Sequence, residues 1–136
     1  MDDAILPTRA RQGDAAIDLY SCEDGELVSG IVTKIRTGVA MSLPVGSYGL
    51  VCGRSGNTLL NGILVLTGIV DSGYRGEIFL MALNLGKQNF KYTKGQRLAQ
   101  MIIQPYLEIM PKPVVDFHDF GVTERASLCL GSSGSF

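Results

Sequence analysis

Residues 77–84 read Glu77-Ile78-Phe79-Leu80-Met81-Ala82-Leu83-Asn84. Everything between the two polar ends is apolar, and the run has the length of a strand rather than a helix. A strand that is apolar almost without interruption buries both of its faces. In a small β domain, the second face would be covered by another subunit. Turn signals bracket the run, with Asp71-Ser72-Gly73 before it and Gly86-Lys87 after it.

The same texture continues outward. Residues 31–36 are rich in β-branched side chains, with Ile31, Thr33 and Ile35 on one face. Residues 39–43 alternate Val39, Met41 and Leu43 against Ala40 and Ser42. Further strands are predicted over 48–52, 63–66, 90–92, 98–103 and 106–110. Thr37-Gly38, Pro44-Val45-Gly46 and Lys94-Gly95 punctuate them. No 3.6-residue period is sustained. Short strands with regular Gly/Pro breaks predict an all-β sandwich or barrel with little helix.

The chain has 136 residues, enough for one domain with a full core. Hydrophobic residues are 46% and charged residues 18%, which excludes a disordered chain. Twelve Lys+Arg against 13 Asp+Glu leave a net charge of −1, without the basic excess of a non-specific nucleic-acid binder. A single His excludes paired-histidine chemistry within one copy. Three widely spaced cysteines, Cys22, Cys52 and Cys129, with no Cys-x-x-Cys, argue against a disulfide framework or zinc site. They point to a reducing intracellular compartment, cytoplasmic, nuclear or viral. No apolar run reaches a membrane span, and Met1-Asp2-Asp3 lacks a signal-peptide charge pattern. Residues 1–120 are expected to form one β domain. The Gly/Ser-rich stretch 121–136 is expected to be a flexible arm, either a free terminus or a segment that orders over a ligand.

Four segments could carry chemistry. Gly13-Asp14-Ala15-Ala16-Ile17-Asp18-Leu19 sets small residues ahead of Asp18, which suits either a strand end or a contact to a metal's waters. Gly53-Arg54-Ser55-Gly56-Asn57 is either an ordinary loop or an anion site built from a guanidinium, a hydroxyl and exposed backbone N–H groups. Gly68-Ile69-Val70-Asp71-Ser72-Gly73-Tyr74-Arg75-Gly76-Glu77 lies between two strands, placing Asp71 and Tyr74 on or beside a hairpin. Asp71 suits a general base for water and Tyr74 a ring face for a sugar; a plain turn with a half-buried Tyr fits as well. Lys94-Gly95-Gln96-Arg97-Leu98-Ala99-Gln100 sets Gln100 among apolar neighbours, as a core hydrogen bond or a ligand contact.

In this order and spacing, the four segments resemble the trimeric dUTPase family (deoxyuridine 5′-triphosphate nucleotidohydrolase) from about Leu6 to Phe136. The resemblance implies a distorted jelly-roll-like β fold assembled as a homotrimer with shared active sites. It implies hydrolysis of dUTP to dUMP and pyrophosphate with Mg²⁺, and neither nucleic acid nor membrane as partner. Asp71 matches the carboxylate that activates the attacking water. Tyr74 matches the ring packed under deoxyribose, leaving no room for a 2′-hydroxyl. Arg54, Ser55, Gly56 and Gln100 match phosphate ligands, and Asp18 matches the residue that reaches the metal through water. The hairpin from Val65 through Gly68 to Val70 matches the segment whose backbone reads uracil.

In the arm, Arg125, Gly131, Ser132 and Gly134 match the family's Arg-Gly-x-Gly-Gly-Phe-Gly-Ser-Thr-Gly motif and Ser133 conservatively replaces its Thr, which implies substrate binding by Arg125, Gly131, Ser132 and Ser133. Ala126 and Cys129 replace glycines there, and Leu130 replaces the aromatic that stacks on the base. Losing a base stack costs about 1–3 kcal/mol. Ala16 and Ile17 also depart from the family's usual Gly and aromatic. These departures support an alternative, a dUTPase-fold nucleotide-binding or regulatory protein with weakened or lost catalysis. A dCTP deaminase-like enzyme shares the fold, but that family usually places Trp where Tyr74 stands.

Overall fold

The computed structural model describes residues 3–116 together with Gly121 and Thr123. Among the described residues, nine strands and one short helix follow in chain order: β1 (Ala16–Tyr20), β2 (Gly25–Leu27), β3 (Val32–Arg36), β4 (Ser47–Gly53), α1 (Ser55–Asn61), β5 (Ile63–Val65), β6 (Gly68–Asp71), β7 (Phe79–Asn84), β8 (Phe90–Tyr92) and β9 (Arg97–Pro105). They form a four-stranded sheet in the order β1-β9-β4-β6, a three-stranded sheet β3-β7-β5 and the pair β2-β8. Every ladder is antiparallel. One core joins the sheets, from Leu19 and Leu27 through Ile35, Val51 and Leu80 to Leu98 and Met101. This is the expected all-β, jelly-roll-like sandwich. No helix among the described residues is long and apolar enough to cross a membrane.

The deciding stretch, β7, alternates rather than burying both faces. Leu80, Ala82 and Asn84 point into the core, while Met81 on the other face is 43% exposed. The expected two-sided burial is therefore not met within one chain. Asn84 is buried completely, and its amide is fully used. Its Nδ2 donates to the carbonyls of Leu27 (2.9 Å) and Gln88 (2.8 Å), and its Oδ1 accepts from the Gly86 N–H (2.8 Å). Asn84 thereby ties β2 and the β7–β8 turn to the strand. Asn84→Ala removes one buried and two part-buried hydrogen bonds to the backbone, so it is expected to cost about 2–4 kcal/mol. Urea unfolding reads this directly; a loss below about 1 kcal/mol would contradict the role.

Two predicted strands are absent. Residues 39–43 bury Val39 and Leu43 in the expected alternation but join no ladder among the described residues; the Ile78 N–H on the Val39 carbonyl and the Val39 N–H on the Thr37 hydroxyl hold the segment at its start. Residues 106–110 leave β9 and find no partner strand among the described residues, where Leu107, Ile109 and Met110 stand exposed. Helix α1 buries no residue and so leaves no apolar period in the sequence. It ends at Gly62, whose φ of 68° is the left-handed conformation that favours glycine, with its N–H on the Thr58 carbonyl.

A bulge in the β1–β9 ladder decides which face Arg97 takes. Leu19 pairs with Ala99 but Tyr20 pairs with Arg97, so Leu98 is the extra residue. Both Leu98 and Ala99 are buried as a result. Arg97 is returned to the face that carries Gln100.

Candidate active site

Three neighbouring strands bring the first group of predicted residues together. Asp18 of β1 pairs with Gln100 of β9, which pairs with Cys52 of β4, one residue before Gly53-Arg54. The Gln100 Nε2 donates to the Gly53 carbonyl (2.9 Å), which pins the end of β4 against β9. Of the two readings left open for Gln100, the internal hydrogen bond is the one present. Gln100 also lines the clefts on either side of Arg54.

Asp18 is almost fully buried and carries two cations. Arg54 Nη1 bonds Oδ1, and Arg97 Nη1 lies 3.3 Å from Oδ2. Arg97 is not among the residues singled out from sequence. A plain two-residue alternation puts it on the face opposite Gln100, and only the Leu98 bulge turns it to Asp18. Arg54 precedes α1, so Ser55 and Gly56 form its first turn and their N–H groups have no intrahelical acceptor. Asn57 donates from Nδ2 to the Arg97 and Leu98 carbonyls (3.0 and 3.2 Å), anchoring this turn on β9. The cleft so formed is about 440 Å³ and is lined by Arg54, Ser55, Gly56, Arg97 and Gln100, among others. A second of about 420 Å³, with Asp14 and Asp18, lies across the Arg54 side chain.

The second group sits elsewhere. Gly68, Val70, Asp71, Tyr74 and Glu77 line a hollow of about 280 Å³. Asp71 is exposed at the end of β6, and its carbonyl accepts the Tyr74 N–H (3.0 Å). The Tyr74 hydroxyl donates to the Glu77 carbonyl (2.9 Å). A Cβ on Gly76 would lie 2.4 Å from the Tyr74 hydroxyl oxygen, so only glycine lets the ring lie across this turn. The Glu77 carboxylate accepts from the Gly38 N–H (2.8 Å) and from Arg36 (3.3 Å). Burial pushes the Glu77 pKa up, but the Gly38 N–H and the Arg36 guanidinium outweigh it and hold the group below the ordinary glutamate value.

The expected hairpins do not form. β5 belongs to the β3-β7-β5 sheet and β6 to the β1-β9-β4-β6 sheet, so residues 65–70 cross between layers. β6 and β7 are likewise in different sheets, and Asp71 and Tyr74 lie on an inter-sheet connection. Val65 and Val70 are both buried in the core between the layers, which is what draws the strands apart. Arg125, Gly131, Ser132 and Ser133 lie outside the described residues, as do Ala126, Cys129 and Leu130.

Asp71 and Arg54 do not meet within one chain, although Gly68, at the other end of β6, pairs with Val51 two residues before Gly53. Asp71 is level with Tyr48 at the start of β4, and Arg54 follows Gly53 at its end. Five strand residues separate those levels, about 17 Å at ~3.4 Å per residue. Among the described residues, no cluster of three or more His, Cys, Asp or Glu side chains could hold a metal ion unaided.

Comparison with known proteins covers the same ground. Residues 2–134 match the dUTPase family. The chain is 42% identical to the deoxyuridine 5′-triphosphate nucleotidohydrolase of Clostridium kluyveri, over 98% of this chain and 92% of that protein. It is 39% identical to the enzyme of the same name from Clostridioides difficile, over 98% and 92%. Among solved structures, a Staphylococcus bacteriophage 80alpha dUTPase variant with dUpNHpp superimposes with a TM-score of 0.92 at 28% identity, covering 99% of this chain and 95% of that one. A phage phi11 dUTPase variant, whose structure describes the coordination of a structural Mg(II) ion, gives 0.81 at 26% identity, covering 87% and 94%. With four motif segments in register, a β sandwich that superimposes end to end and a family match across nearly every residue, the chain belongs to the dUTPase family.

Proposed function

We propose that the protein hydrolyses dUTP to dUMP and pyrophosphate at sites assembled from different copies of the chain in a homotrimer. The observation that carries the shared-site reading is the separation of the two groups. Asp71 with Tyr74, and Arg54 with Gln100, are each built as parts of a site, yet about 17 Å of strand lies between their levels. A base and a phosphate clamp must act on one reacting phosphorus, so each chain contributes one half to each of two sites. The outer face of the β3-β7-β5 sheet supports association. Val32 pairs with Leu83, which pairs with Leu64, an apolar row across three strands beside the exposed Met81. An exposed apolar patch of this kind marks an interaction surface.

In the phosphate half, Arg54 and Arg97 neutralise Asp18 in the free chain. An arriving polyphosphate competes for both guanidiniums and offers charge-assisted bonds in return. Asp18 is then released to hold Mg²⁺ through water. One carboxylate beside substrate phosphates suits this ion, which keeps several waters and seldom has an all-protein cage. Bound there, Mg²⁺ would neutralise charge that develops on the phosphates. Ser55 and Gly56 present their hydroxyl and backbone N–H groups in the same cleft. In the nucleoside half, Tyr74 packs against the sugar, the backbone between Val65 and Val70 contacts the base, and Asp71 takes the proton of the attacking water. Its exposed position at a strand end leaves room for that water.

The test is a product balance. With Mg²⁺, dUTP is expected to give dUMP and pyrophosphate one to one, and light scattering to report a trimer. Ammonia release from dCTP would move the protein to the deaminase branch. A folded trimer that binds dUTP without turnover would support the binding-protein alternative.

A further inference from the structure

The connection from Asp71 to Ile78 is short, lies outside both sheets, and carries Tyr74, which is 42% exposed. An exposed tyrosine is ordinarily free to turn; this one is held at both ends. At its base, the Tyr74 N–H bonds the Asp71 carbonyl. Along its length, the ring lies against Gly76, where no Cβ could fit. At its tip, the hydroxyl bonds the Glu77 carbonyl. The ring's direction therefore depends on where the backbone of Glu77 sits.

That backbone is fixed through its own side chain. The Glu77 carboxylate reaches the Gly38 N–H at 2.8 Å and is largely buried, with 11% side-chain exposure. Arg36 approaches from the solvent side with 49% of its side chain exposed, so its ion pair helps keep the carboxylate charged but anchors it less firmly than the Gly38 N–H does. The next residue is locked to the same segment. The Ile78 N–H donates to the Val39 carbonyl (2.8 Å), and the Thr37 hydroxyl donates to the Ile78 carbonyl (2.6 Å). A chain of contacts thus runs from Gly38 through the Glu77 carboxylate and carbonyl to the Tyr74 hydroxyl.

We infer that Glu77 is a positioning residue for sugar selection: seated on the Gly38 N–H, it fixes the carbonyl that orients Tyr74 and so sets how closely the ring approaches the 2′-carbon of the bound nucleotide. This rests on the reading of Tyr74 as the sugar-facing ring. A 2′-hydroxyl is excluded only while the ring is held in place. Loosening Glu77 gives the ring room to retreat, and discrimination falls before stability does.

The experiment compares kcat/KM for dUTP and UTP, with thermal midpoints, in wild type, Glu77→Ala, Glu77→Gln, Glu77→Asp, Tyr74→Ala and the double Glu77→Ala/Tyr74→Ala. Glu77→Ala is expected to lower the dUTP-to-UTP preference about ten-fold or more. Glu77→Gln keeps an oxygen for the Gly38 N–H and loses only the exposed ion pair, so it is expected to restore the preference to within about three-fold. Glu77→Asp draws the carboxylate back by one methylene and is expected to fall between; it carries the test if Glu77→Ala does not fold. The double variant is expected to discriminate no worse than Tyr74→Ala alone, because the two residues act in series. If Tyr74→Ala abolishes the preference while Glu77→Ala and Glu77→Asp leave it unchanged, Glu77 is only structural and the inference fails. If Tyr74→Ala itself leaves the preference unchanged, the sugar-facing reading fails and the inference falls with it.

Discussion

Asp71→Asn is expected to fold, associate and bind dUTP as the wild type does, while its turnover falls by about 10²–10⁴-fold, the usual contribution of a positioned general base. The substitution keeps the shape and removes the proton acceptor. Asp71 is exposed at the end of β6, and its role in the fold is carried by its backbone: the ladder to Tyr48 and the carbonyl that accepts the Tyr74 N–H. The side-chain change therefore leaves those bonds intact, and the stability change is expected to stay within about 0.5 kcal/mol. Steady-state pyrophosphate release measures the loss, and calorimetric titration with a non-hydrolysable dUTP analogue measures binding. A fall in kcat with little change in affinity is the signature of an interaction made only in the transition state. Equal losses in binding and turnover would instead make Asp71 a substrate ligand, and the base would have to be sought elsewhere. A variant as fast as wild type would remove Asp71 from the mechanism.

How much of this was legible in the sequence depends on which force set each element. Strands with a buried face, such as β3, β4, β7 and the core of β9, announce themselves because burial imposes alternation. Helix α1 buries nothing, and β2 has three residues, so neither leaves a periodic trace. β6 hides for another reason. Its residues Gly68–Asp71 fall inside a motif that reads as a turn, and pairing with β4 is a tertiary event. Residues 39–43 show the opposite error. Their alternation is real, since Val39 and Leu43 are buried, but an apolar pattern cannot say whether a neighbouring strand exists to pair with. The candidate site divides in the same way. Asp18, Arg54, Gln100, Asp71 and Tyr74 stand out as candidates by residue type and spacing. Arg97 does not, because a one-residue bulge decides its face. Glu77 closes its motif with no role legible there, because its carboxylate acts on Gly38, 39 positions earlier in the chain.

The separation of the two half-sites has a consequence that can be measured without a structure of the assembly. Arg54→Gln removes a charge-assisted phosphate contact worth about 1.5–3 kcal/mol, so turnover is expected to fall by about ten- to a hundred-fold. The fold should survive, because Arg97 stays on the other oxygen of Asp18 as its counter-charge. Asp71→Asn is impaired in the other half. Alone, each variant places its defect in every site of its own trimer. Co-refolded in equal amounts, the chains assort at random. A site that takes its phosphate half from an Asp71→Asn chain and its nucleoside half from an Arg54→Gln chain contains no substitution. Random assortment makes roughly a quarter of the sites of this kind, so the mixture is expected to recover about a quarter of wild-type activity. If both halves came from the same chain, every site would carry one defect or the other. The mixture would then show only the mean of the two residual activities, and the shared-site assignment would be wrong. Mixing the folded trimers without denaturation is the control: if subunits do not exchange, that sample stays at the mean, and any recovery in the co-refolded one comes from intact sites formed between unlike chains.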